Sequence, residues 1–72
     1  MMRLKFTQWN AGHRGNMPAW IAVNNSNQAE DFLDALSRAL HPSERIEADL
    51  ITDNSAVEMR YFADMDGAHK RD

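Results

Sequence analysis

Apolar and polar positions along this chain fall into two periods, and the period changes only a few times. Ala29, Phe32, Leu33, Leu36 and Leu40 recur at i, i+3, i+4, i+7 and i+11, one stripe of an amphipathic helix. The spacing predicts a helix over 27–40, with Asn27 as its cap and Glu30 three residues on as the partner of a capping box. Glu30 and Asp31 add negative charge where the helix dipole favours it, and His41-Pro42 closes the segment because a residue before proline is pushed out of the helical region. On either side the period drops to two. Leu4 and Phe6 alternate with Arg3, Lys5 and Thr7, which reads as a first strand over Met2–Trp9 with one apolar and one cationic face. Asn10–Asn16 has loop composition, and Pro18 suits the start of a second strand, Ala19–Val23. That strand has two possible phases, with either Ala19, Ile21 and Val23 or Trp20 and Ala22 inward. The β-branched pair favours the first.

Beyond the helix, Ile46, Ala48 and Leu50 alternate with Glu47 and Asp49 as a third strand, and Asp53-Asn54-Ser55 supplies a turn. A fourth strand runs from Ala56 to Ala63, with Val57, Met59 and Tyr61 inward and Glu58, Arg60 and Phe62 outward. From Asp64 the periodicity fades, so residues 65–72 read as a flexible tail behind a single 1–64 domain. The element string β-β-α-β-β predicts a two-layer α+β domain, one helix packed on a four-stranded sheet. It resembles that of immunoglobulin-binding protein G domains. The resemblance implies β-grasp order 2-1-4-3, with strands one and four parallel at the centre, and nothing about function. An all-antiparallel order is the alternative.

Composition narrows the chemistry more than it names it. With 72 residues and no cysteine, the chain has a small core and neither disulfides nor thiolate metal sites to support it. No apolar run spans a membrane and no signal peptide is visible, which points to the cytoplasm, so the Asn24-Asn25-Ser26 sequon reads as chance. A net charge of −3 argues against non-specific nucleic-acid binding. His13, His41 and His69 lack ligand spacing, and no nucleophile elbow or phosphate-binding glycine loop is present. No enzyme activity, metal or cofactor is therefore expected.

Three surface features remain. The strand phases send Trp9, Trp20, Ile51 and Phe62 away from the helix, and aromatic side chains on an open sheet face are the mark of an interaction site. Glu47, Asp49 and Glu58 would flank these anchors with acidic charge. Gly12-His13-Arg14-Gly15 has the G-x-x-G form of the K-homology RNA-binding loop, but it lies between strands where that family joins helices. What survives is an alternative anion site of Arg3, Lys5 and Arg14. In size, acidity, and lack of cysteine and catalytic groups, the chain resembles phage-encoded inhibitors of host defence, anti-CRISPR proteins among them. That resemblance implies a module that sterically blocks a larger protein or protein–nucleic-acid complex through Trp9, Trp20 and Phe62. The same aromatic face gives the other expectation, a homodimer in which a second copy supplies the missing core.

Overall fold

In the computed structural model, which describes residues 1–10 and 19–71, the elements run β1 (Met2–Asn10), β2 (Trp20–Val23), α1 (Ser26–Ser37), β3 (Arg45–Ile51), β4 (Val57–Asp64) and β5 (Gly67–Arg71). The strands form one sheet in the order β2-β1-β3-β4-β5, every neighbouring pair antiparallel, with α1 packed on one face. The α+β class and the single helix follow the sequence pattern. The β-grasp order does not: β1 pairs with β3, so β3 and not β4 lies beside it at the centre. The reason lies in burial. Ile46, Ala48 and Leu50 of β3 are all fully withdrawn from solvent, whereas β4 begins on exposed Val57. The strand with the most continuous inward face takes the middle of the sheet, where each large apolar side chain contributes roughly 1.5–3 kcal/mol.

Leu4, Val23, Ala29, Leu33, Tyr61 and Ala63 complete the core around β3. Val23 is buried and Ile21 half-buried, so β2 adopts the β-branched-inward phase and Trp20 points outward. Two bulges break the strand alternation. One, between Phe6 and Gln8, shifts the register of β1 and turns Trp9 back toward the core side. There its ring meets Phe6 edge-on, with centroids 5.5 Å apart. An extra residue reverses every side chain that follows it, which is why Trp9 does not lie on the open face. The other bulge, between Leu50 and Ile51, sets Val57 opposite Ile51 and leaves it exposed, contrary to its inward assignment.

The helix is offset from its expected limits. Asn25, not Asn27, is the cap, its side chain accepting from the Gln28 amide at 2.8 Å. The Gln28 side chain reaches back to accept from the Asn24 amide at 2.6 Å, so Gln28 takes the place expected of Glu30. The regular turns end at Ser37, and Ala39 and Leu40 donate back three residues in a tighter turn. Leu40 still packs on the core.

A fifth strand stands where the tail was expected. β5 pairs with β4 after the two-residue turn Met65-Asp66, with Gly67 at φ +126°. Asp34 of α1 accepts from the Ala68 amide at 2.8 Å, tying strand to helix. A Cβ on Gly67 would meet the same carboxylate oxygen at 3.3 Å. Gly67→Ala is therefore expected to cost about 2 kcal/mol through the left-handed backbone alone. A lowered urea midpoint at unchanged slope would register it.

Candidate interaction surface

The face of the sheet opposite α1 carries the side chains that alternate with the core. Near its centre they satisfy one another. Arg71 of β5 extends across β4, its Nη1 2.8 Å from Glu47 Oε1 and its Nη2 2.9 Å from Asp49 Oδ1. Its Nε donates to the Tyr61 carbonyl at 2.9 Å. Arg45 Nε meets the second Glu47 oxygen at 3.2 Å. Glu47 and Asp49, expected to flank a binding site with free charge, are only 19% and 18% exposed and are held from within the sheet. Phe62 is likewise enclosed, between the Arg45 guanidinium 3.9 Å from its ring centroid and His69 of β5 stacked at 4.7 Å. His69 in turn lies 3.2 Å from Asp64. Glu58 sits beside the β4 bulge, and its charge acts on the Tyr61 hydroxyl under the helix.

Toward β2 the same face is open. Trp20 is 50% exposed, the Arg3 guanidinium lies 5.8 Å from its ring centroid, and Lys5 is its cross-strand partner. Arg3, Lys5, Trp20, Ile51 and Ser55 line a shallow depression of about 380 Å³. A second, of about 430 Å³, lies beyond the Arg3–Trp20 pair against Met1, Ala22 and Asp53. The pair is thus a ridge with a hollow on each side. Of the expected aromatic anchors only Trp20 is exposed here. The structure does bring Arg3 and Lys5 together beside it, while Arg14 lies outside the described residues. Sequence reasoning missed Arg71, because its role depends on β5 existing. The signal was present in Asp66-Gly67, turn-favouring residues at the hairpin corner followed by a short run of residues.

Among the described residues one titratable group is strongly perturbed, and it is structural. Tyr61 is buried against α1 and donates to Glu30 Oε2 at 2.9 Å. Burial, and then the Glu30 carboxylate, raise its pKa far above the usual phenol value, because both disfavour the phenolate. Below about pH 10 the folded and unfolded chains both keep this proton and the stabilisation is fully present. Above that, the unfolded chain releases a proton that the fold retains, so stability falls by up to ~1.4 kcal/mol per pH unit. Tyr61 is the only tyrosine in the chain, so tyrosinate absorbance reads it alone. The folded protein is expected to show no tyrosinate at a pH where the urea-unfolded chain is half ionised, and Glu30→Gln should lower the folded midpoint.

Among the described residues no group of three or more His, Asp or Glu side chains is placed to hold a metal ion, and no helix is long and apolar enough to cross a membrane. No protein-family model, curated protein or solved structure matches this chain.

Proposed function

We propose that this chain is a non-catalytic binding module that docks on a larger protein through the β2–β1 half of its open sheet face, and that it acts sterically. The observation that carries this reading is Trp20, half exposed on the edge strand β2 with Arg3 against its ring and two hollows beside it. Tryptophan and arginine dominate interface energetics because each offers a large, stiff surface with a polar edge. Occupying a partner's surface is the mode that phage-encoded inhibitors of host defence would share, and it needs nothing beyond such a face.

Capture of partner protein by the full chain tests the reading, run beside Trp20→Ala and the surface control Asp31→Ala. Loss of a stoichiometric partner with Trp20→Ala alone is expected. Equal retention by all three would remove Trp20 from the site. Sedimentation of the pure protein separates out self-association: a dimer abolished by Trp20→Asp would replace the hetero-partner with a second copy.

Arg3 and Lys5 lining one hollow with Trp20 also supply the elements of a single-stranded nucleic-acid site, in which bases stack on an aromatic and cations hold phosphate. That reading predicts affinity for oligothymidine that falls steeply with salt. With a chain charge of −3, it is the weaker of the two.

A further inference from the structure

We propose that the occupant of this site is an acidic protein segment in extended conformation, added as a sixth strand along the free edge of β2. The inference rests on the docking reading and specifies its partner. Three observations converge on it.

The first is the direction of the backbone. Phe6 donates to the Ala19 carbonyl at 2.9 Å, and the β1–β2 register continues through Lys5↔Trp20, Leu4↔Ile21 and Arg3↔Ala22. Antiparallel pairs alternate between hydrogen-bonded and non-hydrogen-bonded. Ile21 therefore faces β1 with its N–H and C=O, while those of Trp20 and Ala22 point away from the sheet. β2 is the terminal strand of the sheet, and among the described residues no hydrogen bond engages those four groups. They form a short template for another strand.

The second is the contrast with the opposite edge. On β5 the outward amide of Ala68 is capped by the Asp34 carboxylate, and the strand carries His69, Lys70 and Arg71. Charged side chains and side-chain caps are how sheet edges are protected against strand addition. β2, Trp-Ile-Ala-Val, has neither. The sheet is closed at one edge and open at the other.

The third is charge. Five of the eight basic residues project from the open face: Arg3, Lys5, Arg45, Arg60 and Arg71, against Glu47, Asp49 and Asp64, the last held by His69. Arg45 and Arg71 are taken by Glu47 and Asp49. Arg60, at the far side of the face, has no ion pair among the described residues, and Asp53 at the rim is held 3.0 Å from the N-terminal ammonium. Asp49, the residue across from Lys5, is turned to Arg71. Arg3 and Lys5 are thus exposed cations with no ion pair among the described residues, on a chain whose net charge is −3.

A strand laid along β2 directs alternate side chains onto the open face, beside Trp20 and Ala22. On that face an apolar side chain opposite Trp20 meets its ring, and carboxylates at the next same-face positions, two residues to either side, reach toward Arg3 and Lys5. A second copy is disfavoured in this position, since edge pairing about a two-fold would set the Arg3 and Lys5 of both copies on one continuous face. Nucleic acid lacks the regular line of N–H and C=O groups at strand spacing that would pair with the backbone of Trp20 and Ala22.

The test is selection of random peptides displayed on beads with the full-length protein, each hit then measured against Trp20→Ala, Lys5→Glu and Ala22→Pro. The Ala22 N–H faces away from β1, so proline there removes an edge donor without breaking the sheet's own ladder. Hits are expected to be acidic and rich in β-branched residues, and to weaken about tenfold or more with Lys5→Glu and with Ala22→Pro. In the wild-type protein, amide exchange at Trp20 and Ala22 should slow on binding; this readout stands even if the proline variant misfolds. Hits that need Trp20 but show no acidic excess, or leave those two amides unprotected, overturn the acidic-strand inference while the docking reading stands. If no hit depends on Trp20, or if oligothymidine or self-association accounts for all binding, both fall.

Discussion

Arg71→Ala is expected to destabilise the fold by about 2–3 kcal/mol, a large effect for a residue second from the end of the chain. The estimate lies between two limits. Exposed ion pairs are worth little, because water and salt already solvate the partners. Deeply buried pairs cost several kcal/mol to break, because one charge is left behind without water. Here Arg71 is 24% exposed and its two carboxylates 19% and 18%, so removal leaves Asp49 without an ion pair among the described residues and Glu47 held by Arg45 alone. Arg71→Lys should recover only part of the loss, since one ammonium cannot present a planar fork to Glu47 and Asp49 together. Urea unfolding measures the cost, and neutralising both acids (Glu47→Gln with Asp49→Asn) in the Arg71→Ala background should return much of it. If Arg71→Ala proves as stable as wild type, β5 is not held by this clasp.

The two tryptophans are expected to divide the consequences of truncation between them. Trp9→Ala should cost about 3 kcal/mol, because its ring packs against the core and edge-on to Phe6. Trp20→Ala should cost less than about 1 kcal/mol, as an exposed position on an edge strand. In binding the ranking reverses. Trp20→Ala should lose about 2 kcal/mol of affinity, roughly thirtyfold, as a hot-spot aromatic does. Trp9→Ala, at temperatures where it stays folded, should bind like wild type. Thermal melts and titration of a selected ligand on the same three proteins supply both halves. Similar losses of stability for both tryptophans would mean that Trp20 is part of the core.

Hydrophobic period carried the reading where apolar side chains do the holding, and lost it where polar groups or irregular backbone take over. The stripe Ala29, Phe32, Leu33, Leu36, Leu40 and the alternation Ile46, Ala48, Leu50 are core positions, and Ile21 with Val23 correctly oriented Trp20. Trp9 was misplaced because nothing in Phe6-Thr7-Gln8-Trp9 announces a bulge; its position is settled by pairing with β3, a contact distant in sequence. β5 escaped notice for a different reason. Only Ala68 of Gly67–Arg71 packs on the core, and the rest is fixed by Arg71, by Asp34 and by the His69–Phe62 stack. Once β5 is in place, the acids of β3 cease to be free surface charge, and the proposed site shifts from an acidic, aromatic patch to a cationic one around Trp20.

A photo-crosslinking residue placed at position 20, and separately at Asp31 on the outer side of α1, tests most directly whether the open sheet face is where this protein meets its partner. Exposed in the full chain to partner-containing extract, the position-20 protein should give one discrete protein adduct, competed away by unlabelled wild type, and the position-31 protein none. A competed adduct from position 31 with none from position 20 would put the interaction on the helix side and contradict the account.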